Sequence, residues 1–146
     1  MIRIELDATI NYPIEKVFDK LTDLPGYNTW MPKDGLFIRS KKNSEGPVGE
    51  GTTFTDKVRR GKAVGEIVEY KRPNRVKFRQ TVYFLGMKMM ESRPGYGLES
   101  INGNTKLHHV AEGHLYGIFK VLEPVIRIIA QKERERTVNA LRISFE

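Results

Sequence analysis

The sequence predicts an α+β domain in which helices cover one face of a curved antiparallel sheet. Seven strand-like segments are separated by turn residues, and most of them alternate apolar and polar side chains with a period of two. Two short helical segments follow the first strand, and a 3.6-residue period replaces the alternation after Gly117. The 146 residues contain no repeat, linker or low-complexity tract. We therefore expect a single domain over residues 1–146.

The first strand and the two short helices are predicted from the N-terminal part of the chain. Residues 2–10 alternate, with apolar side chains at the even positions. Pro13 suits the first turn of a helix, because its missing N–H would be unpaired there. That helix has an apolar face formed by Val17, Phe18 and Leu21. Residues 24–26 end it, and a second helical turn is expected over residues 27–30.

The rest of the chain is predicted to form six strands and one long helix. The strand ranges are 36–40, 52–59, 63–70, 76–85, 89–100 and 105–116. Asn102-Gly103-Asn104 is a strong hairpin signal between the last two strands. One helix is expected from Ile118 to about Leu141, with a kink at Pro124.

Charge and composition exclude several classes of protein. The chain holds 25 Lys and Arg against 18 Asp and Glu, and its net charge of +7 is concentrated in residues 39–79. Alternation places most of these basic side chains on the solvent face of the sheet, interrupted by Asp56, Glu66 and Glu69, so no nucleic-acid partner is expected. With no cysteine, disulfides, thiolate metal sites and cysteine nucleophiles are excluded. No transmembrane segment or signal peptide is visible, and we expect a cytoplasmic protein.

Five motifs resemble the START-like superfamily, and in particular its polyketide cyclase/dehydratase and lipid-transport branch. They are INYPIEKVF (10–18), LPGYNTWMP (24–32), GTTF (51–54), EYKRPNRVKFR (69–79) and LESINGNTKL (98–107). The resemblance covers essentially the whole chain. It implies the helix-grip fold, in which a curved antiparallel sheet wraps around a long C-terminal helix and encloses an apolar cavity. It implies no particular chemistry, because the family includes lipid and hormone binders, chaperone-like modules and a few enzymes.

The implied cavity would be lined by side chains that alternation and helical phase place on the inner side. The candidate ligand-binding residues are Trp30, Phe54, Phe78, Gln80, Val82, Phe84, Tyr96, Leu98, His109, Leu122, Ile126, Ile129 and Glu133. Glu133 falls on the apolar side of the last helix, where Arg136 could pair with it, or beyond the sheet rim in water. His109 is expected to point inward, away from the other two histidines. No metal site and no cofactor are therefore expected.

Three functions stay open on the sequence. The leading one is binding of a hydrophobic small molecule such as a lipid, polyketide, quinone or isoprenoid. The second is a cyclase or dehydratase, with His109 or Glu133 as acid or base and Tyr96 as proton donor. The third is binding of an anionic surface or nucleic acid through residues 39–79, for which a solvated basic face is the simpler interpretation. The ligand and the formation of a homodimer are also left open.

Overall fold

Seven antiparallel strands form one sheet in which the first strand pairs with the last. A computed structural model describes all 146 residues. The elements are β1 (Ile2–Ile10), α1 (Ile14–Thr22), α2 (Tyr27–Trp30), β2 (Phe37–Lys42), β3 (Thr53–Val58), β4 (Gly61–Lys71), β5 (Arg75–Phe84), β6 (Met87–Ile101), β7 (Asn104–Leu115), a 3₁₀ segment (Gly117–Leu122) and α3 (Glu123–Ile143). The strand order is β1-β7-β6-β5-β4-β3-β2. The predicted α+β class and the number of strands are confirmed.

The helix α1 covers one end of the inner face of the sheet. Its side chains Val17 and Phe18 are fully buried, and Phe18 meets the ring of Tyr70 on β4 edge to face at 5.2 Å between centroids. The core around them also contains Ile67 and Leu107 from the sheet and Leu141 from α3. This packing explains why a nine-residue helix without a side-chain cap at its N-terminus is stable, since tertiary burial supplies most of its stability.

The C-terminal helix differs from the prediction at its beginning. Residues 117–122 form a 3₁₀ segment, and α3 begins at Glu123 with Pro124 in its first turn. The predicted kink is wrong, because proline lacks only an N–H that is unpaired at this position. A 3₁₀ segment turns by about 120° per residue instead of about 100°, so the apolar stripe does not continue through it. Ile118 and Leu122 are consequently 68% and 48% exposed.

A helix that crosses a lipid bilayer must be both long and apolar. None of the helices of this protein combines the length and the apolar character that such a crossing requires.

Two neighbouring rows of side chains cross the inner face of the sheet beneath α3. In the first row, successive pairing joins Ser40, Asp56, Ala63, Val82, Met90 and Leu115. In the second row it joins Phe54, Gly65, Gln80, Ser92 and Gly113. Both rows contain small residues, which leave space on the inner face for neighbouring side chains and for a cavity. At Gly65 a Cβ atom would lie 2.8 Å from Phe54 Cζ, so the ring of Phe54 occupies the space that glycine leaves.

The outer face of the sheet carries the basic residues. Three of its arginines form ion pairs with neighbouring carboxylates, namely Arg75 with Glu69, Arg79 with Glu66 and Arg93 with Glu91. These ion pairs partly neutralise the positive charge that the sequence predicts on this face. That no nucleic acid binds here stays a prediction.

Candidate ligand-binding site

A cavity of about 180 Å³ lies between the inner face of the sheet and α3 and opens to solvent on one side. Most of its wall is apolar, with contributions from Ile4, Val82, Met89, Met90, Ile126 and Ile129. A smaller hollow of about 50 Å³ continues from it towards α2. The two spaces share the side chains of Met31, Asp56, Gln80, Arg134 and Thr137. An apolar cavity of about 150 Å³ accommodates a benzene ring, so the space suffices for a ring-sized group.

Nine of the thirteen predicted ligand-binding residues line these spaces. Gln80, Val82, Ile126, Ile129 and Glu133 line the larger cavity. Trp30, Phe54, Phe78 and Tyr96 line the smaller hollow, together with Gln80. The sheet and α3 therefore bring together most of the residues that alternation selected, and whether they bind a ligand stays a prediction.

The other four predicted residues lie elsewhere. Phe84 packs against Phe119 of the 3₁₀ segment, with 6.2 Å between ring centroids. Leu98 is buried in the core beneath α1, and His109 is buried behind the ring of Tyr96. Leu122 lies on the outer surface, because the 3₁₀ segment changes the helical phase before α3. Alternation identifies the face on which a side chain lies but not its position along the strand relative to the helix.

A row of aromatic rings forms the floor of the smaller hollow. Phe54 and Phe78 meet edge to face with 5.8 Å between centroids, and Phe78 and Tyr96 do so at 6.4 Å. The ring of His109 stacks on that of Tyr96 at 4.2 Å, with 16° between the planes. Each edge-to-face contact adds to the stabilisation from burial and fixes the ring orientation. Ring–ring contacts therefore connect the whole floor of the hollow.

His109 is fully buried, as its inward orientation predicts, but it does not line the cavity. Its Nδ1 lies 2.8 Å from the carbonyl oxygen of Gly95, so Nδ1–H donates to that carbonyl. Burial lowers the pKa of His109 to about 3, assisted by the nearby charge of Arg134, and the imidazole is neutral at pH 7. Its Nε2 has no hydrogen-bond partner. His109 is thus a core residue that supports Tyr96.

Glu133 lies at the rim of the cavity with both carboxylate oxygens engaged. Oε2 accepts a hydrogen bond from the backbone N–H of Leu36 at 3.0 Å, and Oε1 accepts one from Arg136 at 2.9 Å. Of the two arrangements that the sequence left open, pairing with Arg136 is the one found. The contact with Leu36 ties α3 to the segment before β2, which assigns Glu133 a structural role at the rim.

Asp56 of β3 is a cavity residue that the candidate set from the sequence does not include. It lines both spaces, and its Oδ1 is buried without a hydrogen-bond partner. Burial raises the pKa of Asp56 to about 6, while the nearby Ser40 hydroxyl and the charge of Arg134 limit the rise. Its predicted position on the outer basic face is therefore wrong. The signal for the inner face was its spacing of two from Phe54.

Arg134 of α3 is the second cavity residue outside that candidate set. Its side chain lines both spaces, and no carboxylate oxygen lies within 4.0 Å of its guanidinium group. It is near enough to oppose the increase that burial causes in the pKa of Tyr96. Arg134 follows Ile126 and Ala130 at intervals of four, so the helical period already placed it on the face towards the sheet.

The chain matches a known protein family, and its fold is similar to several solved structures. The family described as polyketide cyclase/dehydrase and lipid transport matches residues 1–146. No curated protein matches the chain by sequence. A START superfamily protein from Mycobacterium smegmatis has 10% identity and a TM-score of 0.74, covering 98% of this chain and 96% of that one. A protein from Thermus thermophilus has 16% identity and a TM-score of 0.76, covering 96% of this chain and 94% of that one.

A structure of a protein in the dynemicin biosynthetic locus is similar at 15% identity and a TM-score of 0.67. That likeness covers 97% of this chain but only 46% of the other. Structural likeness at such low identity shows the fold alone, which is the helix-grip arrangement of a curved sheet around a C-terminal helix. Because the family match extends over every residue, the chain belongs to the polyketide cyclase/dehydrase and lipid transport family.

Proposed function

We propose that this protein binds a hydrophobic small molecule in the cavity between the sheet and α3. The observation that carries the proposal is a largely apolar cavity of about 180 Å³ with a few polar groups at one end. In such sites apolar burial supplies affinity and the polar groups set orientation. Small-molecule sites commonly measure about 300–1,000 Å³, so the enclosed part suits one or two rings or one end of a longer molecule. The remainder of a longer ligand would leave through the open side beside Ile129, which is 45% exposed.

Filling the cavity should abolish this binding. Ala130 lies on α3 and lines the cavity, and the indole of Ala130→Trp would occupy the space of a ligand ring. We expect the wild type to bind the neutral dye N-phenyl-1-naphthylamine saturably, as measured by fluorescence titration. In Ala130→Trp the dissociation constant should rise at least about tenfold, which corresponds to about 1.4 kcal/mol.

Ala140→Trp is the matched control for this experiment, because Ala140 lies on the same helix outside both spaces. Its dissociation constant should stay within about twofold of the wild type, a difference well below about 1 kcal/mol. Equal affinities of the wild type and Ala130→Trp, or the absence of saturable binding to the wild type, would refute the proposed site.

A dehydratase-type enzyme acting in the same cavity is the second candidate, and Asp56 is the observation that favours it. A carboxyl group with a pKa of about 6 can exchange a proton near neutral pH, as a general acid or base requires. Tyr96 stays protonated because burial raises its pKa, and it could donate a hydrogen bond to a substrate carbonyl. His109 and Glu133, the acid–base candidates from the sequence, are engaged in the structural contacts described above.

A simple elimination reaction tests this candidate. The probe 4-hydroxy-4-phenylbutan-2-one loses water to form a conjugated enone, which is followed by its ultraviolet absorbance. We expect the wild type to accelerate the reaction and Asp56→Asn to abolish the acceleration. Glu133→Gln should retain it, because Glu133 lies at the rim with both oxygens engaged. A wild type no faster than buffer rules out dehydration of this substrate type, and equal rates in wild type and Asp56→Asn rule out the role of Asp56.

A further inference from the structure

Arg134 is the only lysine or arginine in the walls of the two spaces. The other arginines of α3 each have a carboxylate partner, since Arg127 pairs with Glu123, Arg136 with Glu133 and Arg142 with Glu146. Arg134 has none within 4.0 Å, although it is half-buried against an apolar cavity. A guanidinium group beside an apolar wall without a counter-ion is costly, so its position favours an anionic partner from outside the chain.

The carboxylates of the cavity wall leave Arg134 without a direct counter-ion. Glu133 is occupied by Leu36 and Arg136, and Glu112 lies 3.9 Å from Arg3 on the other side of the sheet. Asp56 is the remaining one, and it does not approach the guanidinium group to within 4.0 Å. Burial raises the pKa of Asp56 to about 6, so above this pH its ionised carboxylate lies opposite Arg134 without contacting it.

The smaller hollow also offers hydrogen-bond donors beside Arg134. The indole Nε1–H of Trp30 is buried without a partner, and the side chains of Gln80 and Tyr96 line the same wall. An ionised carboxylate only accepts hydrogen bonds and has about four acceptor positions. It therefore complements a guanidinium group surrounded by donors better than a hydroxyl or an amide does.

We infer that the preferred ligand is an apolar molecule with a carboxylate group, and that Arg134 selects it by pairing with that group. The inference rests on the proposed function, because the apolar body of the ligand would occupy the cavity beside Ile126 and Ile129. The carboxylate would lie towards the hollow, between α3 and the aromatic floor. Arginine suits this role because its planar donors match a carboxylate in two parallel hydrogen bonds.

Two isosteric probes separate the charge from the apolar body. We propose to measure the binding of 2-naphthoate and 2-naphthamide by isothermal titration calorimetry at about pH 8, where the carboxylate is fully ionised. The wild type should bind the carboxylate at least about tenfold more tightly, as expected for a hydrogen bond to a charged group. Arg134→Gln should remove this preference and leave the affinity for the amide within about twofold, because the apolar contacts are unchanged. Arg134→Lys, which keeps the charge, should retain part of the preference.

Two further variants make the result specific. Lys132→Gln removes the same charge from an exposed position on the same helix and should keep the preference. Asp56→Asn removes the negative charge that faces the ligand head, so it should raise the affinity for the naphthoate relative to that for the amide. If Arg134→Gln fails to fold, which circular dichroism would show, Arg134→Lys tests the role of the guanidinium group, because the preference should then fall below that of the wild type.

The outcomes separate the inference from the proposed function. Equal affinities of the wild type for both probes, or a preference that persists in Arg134→Gln, would overturn the role of Arg134 and leave hydrophobic binding in place. A lower affinity for the naphthoate relative to the amide in Asp56→Asn would also contradict the inference. Binding of neither probe to the wild type would overturn both the inference and the proposed function.

Discussion

Replacing Phe78 by alanine should lower the free energy of unfolding by about 3–5 kcal/mol. Phe78 is 4% exposed and lies at the centre of the aromatic row, with edge-to-face contacts to both Phe54 and Tyr96. Its truncation removes the transfer free energy of the ring and leaves a void that the neighbouring rings cannot fill without losing their own contacts. Urea unfolding followed by circular dichroism measures the change.

Tyr83→Ala is the matched control for Phe78→Ala. Tyr83 lies on the same strand, but on the outer face, where its ring centroid lies 5.5 Å from the ammonium group of Lys62. Tyr83→Ala should lower the free energy of unfolding by about 1 kcal/mol or less, because the ring of Tyr83 buries less apolar surface than that of Phe78. Equal losses at the two positions would mean that the aromatic row contributes no more to stability than a surface ring.

The void left by Phe78→Ala adjoins the smaller hollow and should also alter binding. A ligand that enters the enlarged space stabilises the folded state, since it binds the native form and not the unfolded chain. N-phenyl-1-naphthylamine should therefore raise the free energy of unfolding of Phe78→Ala by more than it raises that of the wild type. This comparison tests whether the aromatic row limits the size of the ligand.

Replacing Asp56 by asparagine should stabilise the protein above about pH 6.5 and leave its stability unchanged near about pH 3.5. The pKa of Asp56 is about 6 in the folded state, against an ordinary value of 3.8 for this side chain. The folded state therefore favours the protonated carboxyl, and the stability of the wild type falls as the pH rises from about 4 through about 6. The pKa of Asp56 differs by about two pH units between the folded and the unfolded state, which corresponds to about 3 kcal/mol in the free energy of unfolding.

Unfolding measured across this pH range, for the wild type and Asp56→Asn, tests the expectation. Above about pH 6.5 the free energy of unfolding of Asp56→Asn should exceed that of the wild type by about 2–3 kcal/mol. The amide cannot ionise, and its burial costs less than that of a carboxylate. Asp34→Asn, in the exposed loop between α2 and β2, is the matched control and should change the stability by less than about 0.5 kcal/mol at every pH. A gain in Asp56→Asn that is the same at about pH 3.5 and about pH 7.5 would exclude ionisation as its cause.

The buried carboxyl of Asp56 has a consequence for function. A residue that lowers stability at neutral pH is retained more readily where a ligand or a reaction needs it. Asp56 and Arg134 lie on different elements, β3 and α3, and face the same hollow without contacting each other. A ligand that reaches between them would contact both, which is why these two residues carry the second candidate function and the further inference.

The order of the elements and the faces of the strands follow from local patterns. Alternation over residues 2–10 and 76–84 identifies the inner side chains of β1 and β5 correctly, because successive side chains of any strand point to opposite faces. The same rule places His109 inside and His108 at the surface, where its Nδ1 lies 2.8 Å from Asp7 Oδ1. Turn residues separate the hairpins for reasons that are equally local.

Local sequence patterns are therefore sufficient for the class of fold, the strand faces and nine of the residues that surround the two spaces. Contacts between elements are needed to see that Asp56 and Arg134 face each other across the hollow, that His109 lies behind Tyr96, and that Leu122 is exposed. Alternation and helical period are properties of one element at a time. The position of α3 over the sheet depends on where the 3₁₀ segment ends and on the small residues beneath the helix, and both are set by packing between distant parts of the chain.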